Sequence, residues 1–242
     1  LRGRTFGAFA EMGREAQSGI GVYDGILLAL LFYNMLLWLS LRDSSHFWYM
    51  CHLAGFGLVL FCLNGLAFEY LWPTSPWLAN HAIPLAMSFA QMAMPQFARH
   101  FLELKERWPL GDKISIGFII FYAAVGLSSF WVDYRTAVQL GTYGVFPSVL
   151  AVVAQAIQAI RRGYRPARLF LAAWIMLLFG TAMYASVSFG LLQKNFITEY
   201  GIQIGSAVEM ILLSFALAYR HASLRTESEN IVREANEQLE RN

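Results

Sequence analysis

The chain of 242 residues is 57% hydrophobic and only 14% charged, with a mean hydropathy of +0.46. This composition argues against an ordinary soluble domain and predicts a protein that faces lipid over most of its surface. The net charge of +2 says little as a total, and no nucleic-acid partner is predicted. Because the chain begins at Leu1 and ends at Asn242 inside a charged pattern, we expect a fragment of a longer protein.

Residues 1–19 are too few for a domain, and we expect an extracytoplasmic linker or interfacial segment, with a disordered tail as the alternative. Seven apolar stretches follow, each close to the roughly 20 residues that cross a hydrocarbon core. They cover residues 20–41, 46–68, 77–101, 113–131, 136–160, 169–192 and 199–219. Each must be helical, because backbone groups in lipid are satisfied only in helices or closed barrels, and the alternation of barrel strands is absent. The sequence therefore predicts an all-α membrane protein, with a seven-transmembrane helix bundle over 20–219.

The loops of this bundle differ in positive charge. One side collects nine basic residues: Arg42, Arg99, Lys105, Arg107, Lys113, Arg161, Arg162, Arg165 and Arg168. The opposite loops carry only Arg135 and Lys194. Since basic loops stay in the cytoplasm, we predict an N-terminus outside and a C-terminus inside the bacterial inner membrane.

Residues 220–242 are mostly charged or polar and contain no proline or glycine, so the last helix is predicted to continue into the cytoplasm as a signalling helix. Leu217, Leu224 and Ile231 lie seven residues apart, which is the spacing of a coiled-coil seam. We expect a parallel homodimer through this seam, although polar residues between the apolar layers weaken it. A solvated single helix is the alternative.

Glu209 is the one charged residue deep in the last apolar stretch, about 15 Å along the helix from Glu199. Gly201, Gly205 and Ser206 precede it, and such small residues let helices approach closely, so Glu209 should face other helices. No Lys or Arg reaches this depth. We expect a mostly protonated carboxyl that bonds neutral donors. By depth along their helices, the candidate donors are Tyr122, Tyr143 and Tyr184. The side chain either locks the bundle or serves a conformational or ligand-coupled role.

Further polar residues cluster in the outer half of the predicted bundle. They are Asp24, Asn64, Glu69, Asn80, His81, Glu199 and Tyr200. These side chains are candidates for a ligand pocket open to the outside, whereas contact with headgroups and water is the alternative.

Catalysis within this chain is not expected. The five histidines are scattered and form no metal-binding pair, so we predict no metal site, and no cofactor is expected. No Ser-His-Asp set or glycine-rich phosphate loop is evident. A small-molecule or proton-coupled transporter that uses Glu209 stays the alternative to a signalling function.

Five stretches together resemble one family. They are YDGILLALLFYNMLLWLSLRD (23–43), LNGLAFEYLWP (63–73), FARHFLEL (97–104), RRGYRPARLFLAAW (161–174) and FITEYGIQIGSAVEMILLSFALAYR (196–220). They resemble bacterial seven-transmembrane receptors with diverse intracellular signalling modules (7TMR-DISM). The resemblance implies a sensor: an extracytoplasmic ligand-binding domain, the bundle, and a helix that drives a diguanylate cyclase or histidine kinase. The outer and output domains would be partners within the full-length chain, and membrane lipid surrounds the bundle.

The predicted topology can be tested by cysteine labelling with an impermeant reagent at Thr74 and Gly163. Because of the asymmetry in loop charge, Thr74→Cys should react in intact cells and Gly163→Cys only after the membrane is opened. Labelling of position 163 in intact cells would contradict the topology.

Overall fold

A computed structural model describes residues 2–188, 190–193 and 195–241, and throughout these ranges helix is the regular secondary structure. The elements in chain order are α1 (Arg2–Leu41), α2 (Ser44–Leu63), α3 (Leu66–Tyr70), α4 (Pro76–Phe101), α5 (Leu104–Arg107), α6 (Pro109–Ser128), α7 (Tyr134–Arg161), α8 (Ala167–Ser188), α9 (Phe196–Glu199) and α10 (Gly201–Arg241). The prediction of an all-α chain is confirmed. The helix α1 starts at Arg2, so residues 2–19 continue the first span as helix.

Six of the described helices are long and apolar enough to cross a membrane. The apolar segments lie in α1 (Gly21–Leu41), α2, α6, α7, α8 (Ala167–Val187) and α10. The predicted third span, 77–101, corresponds to α4, which is not among the six. Polar residues such as Asn80, Gln91 and Arg99 lower the hydropathy of α4, and it packs against α2, α6 and α7. A seventh crossing therefore stays a proposal.

The core is centred on α4, where aromatic side chains from three helices meet. Phe97 and Phe101 of α4 pack against Phe170 of α8, with ring centroids 5.7 and 5.2 Å apart. Tyr49 of α2 joins them 5.2 Å from Phe97. These rings are fully buried, and burial of large aromatic side chains contributes strongly to packing. The cluster holds α2, α4 and α8 in fixed relation and so positions the surface against which α10 packs.

The helix α10 packs most closely on α8 through glycine. A Cβ on Gly180 of α8 would overlap the carbonyl oxygen of Gly201 and lie 3.0 Å from the Cα of Gly205. The predicted small-residue stripe therefore does bring two helices together. The contact fixes an antiparallel register, since Gly205 faces Met176 and Gly201 faces Gly180.

One helix extends without a break from Gly201 to Arg241, which agrees with the predicted continuous last helix. One residue of the predicted dimer seam is misplaced. Leu217 is fully buried in the core of this chain and cannot contact a second copy, because α10 is still inside the bundle at that level. Leu224 and Ile231 are exposed, by 39% and 61%. Coiled-coil pairing stays a prediction for these two positions.

The loops on the basic side of the bundle, called inner loops after the predicted orientation, contain turns that place backbone in the left-handed region. Arg42, Glu103 and Gly163 have φ values of 54°, 53° and 84°. For labelling of the last inner loop, the exposed neighbour Arg162 therefore accepts a cysteine with less strain than Gly163.

The substitution Gly180→Ala should destabilise the protein, because the new methyl group forces α8 and α10 apart. Overpacking of this kind costs about 1–3 kcal/mol. The matched control is Gly117→Ala on α6, where an added Cβ has no neighbour within 4 Å. Thermal unfolding of the purified protein in detergent measures both. Equal melting temperatures for the two variants would contradict the close packing of α8 on α10.

Candidate functional site

Glu209 is buried inside the bundle, as predicted, with 2% of its surface exposed. It lies roughly 12 Å along α10 from Gly201 and roughly 16 Å from Arg220, which is near the middle of the embedded part. Its Oε1 atom is buried and has no hydrogen-bond partner among the described residues. The interpretation of Glu209 as a neutral side chain that locks the bundle by hydrogen bonds therefore stays a prediction.

The tyrosines near Glu209 are not the predicted ones. Tyr23 of α1 and Tyr49 of α2 are close enough to interact electrostatically with Glu209. Both are buried, with 5% and 0% of their surface exposed. The hydroxyl of Ser206 donates to the Tyr23 oxygen at 3.0 Å, and the Tyr49 hydroxyl donates to the carbonyl of Met210 at 2.7 Å.

The structure does not place Tyr122 and Tyr143 beside Glu209, whereas a role for Tyr184 stays a prediction. Tyr122 and Tyr143 belong to α6 and α7, whereas α10 packs mainly against α8, α1 and α2. Tyr143 is 71% exposed. Tyr184 is 44% exposed, and its backbone lies opposite Gly201, about 12 Å along α10 from Glu209.

Most of the polar residues predicted for the outer half lie at the surface of the bundle. Asn64, Glu69 and Asn80 are exposed. His81 stacks on Trp77, with ring centroids 4.5 Å apart. These positions agree with contacts to headgroups and water.

Asp24 is half-buried and lines a groove between α1 and α2 of about 310 Å³, whose other lining residues are apolar. Tyr200 is half-buried. The side chain of Glu199 lies outside the described residues. The predicted outer pocket therefore stays a prediction.

A second polar site lies where α10 leaves the bundle, and sequence analysis missed it. We call it the exit cluster: Asp43, Ser45, His46, Glu103, Arg220 and His221. Nη1 of Arg220 lies 2.6 Å from Oδ2 of Asp43 and donates to the hydroxyl of Ser45 at 3.1 Å. Asp43 lies in the turn between α1 and α2, where it also caps α2 by accepting the N–H of Ser45 at 2.8 Å. Arg220 is 9% exposed, so α10 is anchored to this turn by a largely buried ion pair.

Two histidines complete the exit cluster. Nε2 of His221 lies 2.9 Å from Oδ2 of Asp43, and its ring stacks on that of His46 with centroids 5.0 Å apart. His46 is fully buried, and its Nδ1 lies 3.2 Å from Oδ1 of Asn34. The amide of Asn34 donates to the hydroxyl of Ser214 on α10 at 3.3 Å. Polar contacts thus continue from the exit cluster back toward the middle of the bundle.

Glu103 connects the exit cluster to the inner loop after α4. Oε1 of Glu103 lies 3.8 Å from Nη2 of Arg220, and its Oε2 pairs with Arg107 at 2.7 Å. The guanidinium of Arg107 lies 4.5 Å from the ring centroid of Tyr164. The Tyr164 hydroxyl donates to the carbonyl of Phe101, and burial raises the pKa of Tyr164 to about 12. Glu103, whose backbone is in the left-handed region, thus has an arginine on each side.

The exit cluster keeps Asp43 ionised. Burial by itself raises the pKa of Asp43, but contact with His221, the N–H of Ser45 and the charge of Arg220 lower it by more. The pKa of Asp43 therefore lies well below its usual range. A signal for this pairing was present in the sequence: Asp43 and Arg220 end two apolar stretches on the same predicted side of the membrane. Predicting a pair between residues 177 positions apart, however, requires knowledge of which helices are neighbours.

A groove of about 730 Å³, the inner groove, lies beside the exit cluster, between the extension of α10 and the loop that follows α7. Its lining includes Arg107, Arg165, Leu224, Ile231 and Glu234. Among the described residues, no group of three or more His, Cys, Asp or Glu side chains is arranged to hold a metal ion.

Comparison with known proteins gives one match. The family model described as 7TM diverse intracellular signalling matches residues 17–220, which cover the bundle and end at Arg220. No curated protein and no solved structure matches the chain.

The substitution Asp43→Asn should destabilise the protein at neutral pH by about 3 kcal/mol, because it leaves Arg220 buried without its anion. Asparagine caps helices as well as aspartate, so the effect isolates the charge. Since the folded state lowers the pKa of Asp43, the stabilisation is present above about pH 4 and is lost as pH falls through the folded-state pKa.

The difference in melting temperature between the parent protein and Asp43→Asn should therefore narrow in acid. Asp133→Asn is the matched control, because Asp133 is an exposed cap of α7 that accepts the N–H of Thr136. A stability difference that does not change with pH would show that the Asp43 charge is unimportant.

Proposed function

Because the chain belongs to the 7TM diverse intracellular signalling family, we propose that it is the transmembrane relay of a sensor. In this proposal a stimulus received outside the membrane passes through α10 to an output domain in the cytoplasm. The observation that carries the proposal is the course of α10. One helix contains the buried Glu209, passes through the exit cluster at Arg220 and continues to Arg241.

The contacts of α10 support transmission over this distance. Three side-chain contacts tie α10 to α1 and the turn after it: Ser206 with Tyr23, Ser214 with Asn34, and Arg220 with Asp43. A displacement of α1 at the outer side therefore acts on α10 at several levels. A rigid helix carries such a displacement beyond the bundle, whereas a flexible linker does not.

The resemblance to the family supports the finer parts of the proposal. An extracytoplasmic domain would supply the stimulus, and a diguanylate cyclase or histidine kinase would be the output, so this segment itself would have no catalytic activity. Loop charges favour an N-terminus outside the bacterial inner membrane. The α4 helix would be the seventh crossing, covered by its neighbours.

We also propose that the chain forms a parallel homodimer through the extension of α10. Leu224 and Ile231 are exposed, seven residues apart, and line the inner groove. Such a seam has few apolar layers, so the bundle must add to the contact. A weak coiled coil changes register at low energy, which suits a switch.

A transporter is the second candidate, because polar side chains occur at many levels of the bundle, from Tyr23 through Glu209 and Asn34 to Asp43. Buried polar residues in membrane helices often mark ion or substrate pathways. Uptake of candidate solutes into liposomes under a pH gradient, abolished by Glu209→Gln, would favour this function over a relay.

The relay can be tested by fusing a diguanylate cyclase reporter after Asn242. One to four alanines inserted after Ser228 rotate the reporter by about 100° each. If α10 transmits a movement, cyclase activity should vary with a period of 3 to 4 inserted residues, and Asp43→Asn should reduce the variation. The matched control replaces the inserted alanines with glycines and serines, which uncouple rotation. Activity that is the same for every insertion, and unaffected by Asp43→Asn, would contradict the relay.

A further inference from the structure

Glu209 is unusual because its carboxyl group is buried while one oxygen has no partner. The ionisable side chains that face it are Tyr23 from α1 and Tyr49 from α2, with Asp24 next to Tyr23. No cationic side chain among the described residues acts on Glu209, so an ionised carboxylate would have no compensating charge there. A buried carboxylate without donors is costly, and a neutral carboxyl avoids this cost.

The surrounding hydroxyl groups offer two hydrogens that an ionised Glu209 could recruit. The single hydrogen of the Ser206 hydroxyl can go to the Tyr23 oxygen at 3.0 Å or to the carbonyl of Gln203 at 3.1 Å, and in the first arrangement the Tyr23 hydrogen is available to donate. Tyr49 donates its hydrogen to the carbonyl of Met210, the residue next to Glu209 on α10. The contacts in the structure therefore match a neutral Glu209, since the Tyr49 hydroxyl donates to a backbone carbonyl and not to the carboxyl group.

We propose that Glu209 is a proton-binding site, and that its protonated and ionised forms hold α10 in different ways. On ionisation the carboxyl O–H bond breaks and the proton passes to water at the outer surface, on the side of Ser206, Tyr23 and Asp24. The carboxylate then takes hydrogen bonds from Tyr23 and Tyr49, and the carbonyl of Met210 loses the hydroxyl of Tyr49. No oxidant, metal or other reactant is needed.

The loss of this contact reaches the exit cluster through adjoining side chains. Tyr49 is also a neighbour of Ser214, which accepts from Asn34, and Asn34 contacts His46. His46 in turn stacks on His221. Movement of the Tyr49 hydroxyl therefore disturbs a continuous set of contacts that ends at the anchor of α10, which is the physical requirement for coupling between distant sites.

Charged and titratable groups from several elements surround the exit cluster. Asp43 from the turn after α1 faces Arg220 and His221, while Glu103 from the inner loop faces Arg220. His100 of α4 is near Asp43 and Arg220, and Tyr164 is near Arg220 and Glu103. Because Asp43 is paired with Arg220, it remains an anion at neutral and alkaline pH, where Glu209 is proposed to lose its proton.

The first measurement is the infrared carbonyl band of a protonated carboxyl in the reconstituted protein as pH is varied. We expect a band at neutral pH that disappears in alkali and is absent in Glu209→Gln. The matched control is Glu106→Gln, which alters an exposed carboxyl of the inner loop and should leave the band unchanged. If Glu209→Gln removes no band, or the band does not respond to pH, the proposal is wrong.

The second measurement follows α10 with spin labels at Arg165→Cys and Asn230→Cys, which lie on the two walls of the inner groove. Cys51 and Cys62 are replaced by alanine. The distance between the labels should shift as the infrared band disappears, and Glu209→Gln should hold the neutral-form distance at every pH. Tyr49→Phe leaves Glu209 in place and should keep the band while abolishing the shift.

A band that titrates without any change in the label distance would overturn the proposed coupling. This failure is distinguishable from failure of the proposed relay, since the reporter fusion responds to helix rotation whether or not Glu209 binds a proton. If Glu209→Gln does not fold, Tyr49→Phe decides: a shift that persists in this variant would contradict the exchange of Tyr49 between Met210 and Glu209.

Discussion

The ion pair between Arg220 and Asp43 determines where α10 leaves the bundle. An arginine that is only 9% exposed must keep an anion beside it, and the turn between α1 and α2 supplies that anion while also capping α2. The start of α2, the end of α1 and the direction of α10 are therefore fixed by one carboxylate. The glycine contact between α8 and α10 sets the position of the other end of α10.

Much of the fold could be predicted from local chemistry. Apolar stretches of about 20 residues must form helices in lipid, and the last helix, which has no proline or glycine after residue 205, can continue past its apolar stretch. The burial of Glu209 followed from the small residues Gly201, Gly205 and Ser206 on the same helix. These inferences succeed because each uses residues of a single helix.

Predictions that needed to know which helices are neighbours did worse. Depth alone selected Tyr122, Tyr143 and Tyr184 as partners of Glu209, but α6 and α7 do not form the main surface on which α10 packs, and Tyr184 of α8 lies at the level of Gly201. Heptad spacing placed Leu217 in a dimer seam, although the bundle still surrounds α10 at that level. The exit cluster was missed for the same reason, because spacing along one helix does not reveal a contact with another.

The composition of α4 has a consequence for how the protein enters the membrane. This helix has prolines at positions 84 and 95 and is too polar to be among the six apolar helices, yet its buried face is at the centre of the core. A segment of this kind gains little free energy when it enters lipid without neighbouring helices. If α4 is the seventh crossing, as proposed, its insertion during biosynthesis depends on helices that are synthesised before and after it, and α2 and α6 are the neighbours that can cover it.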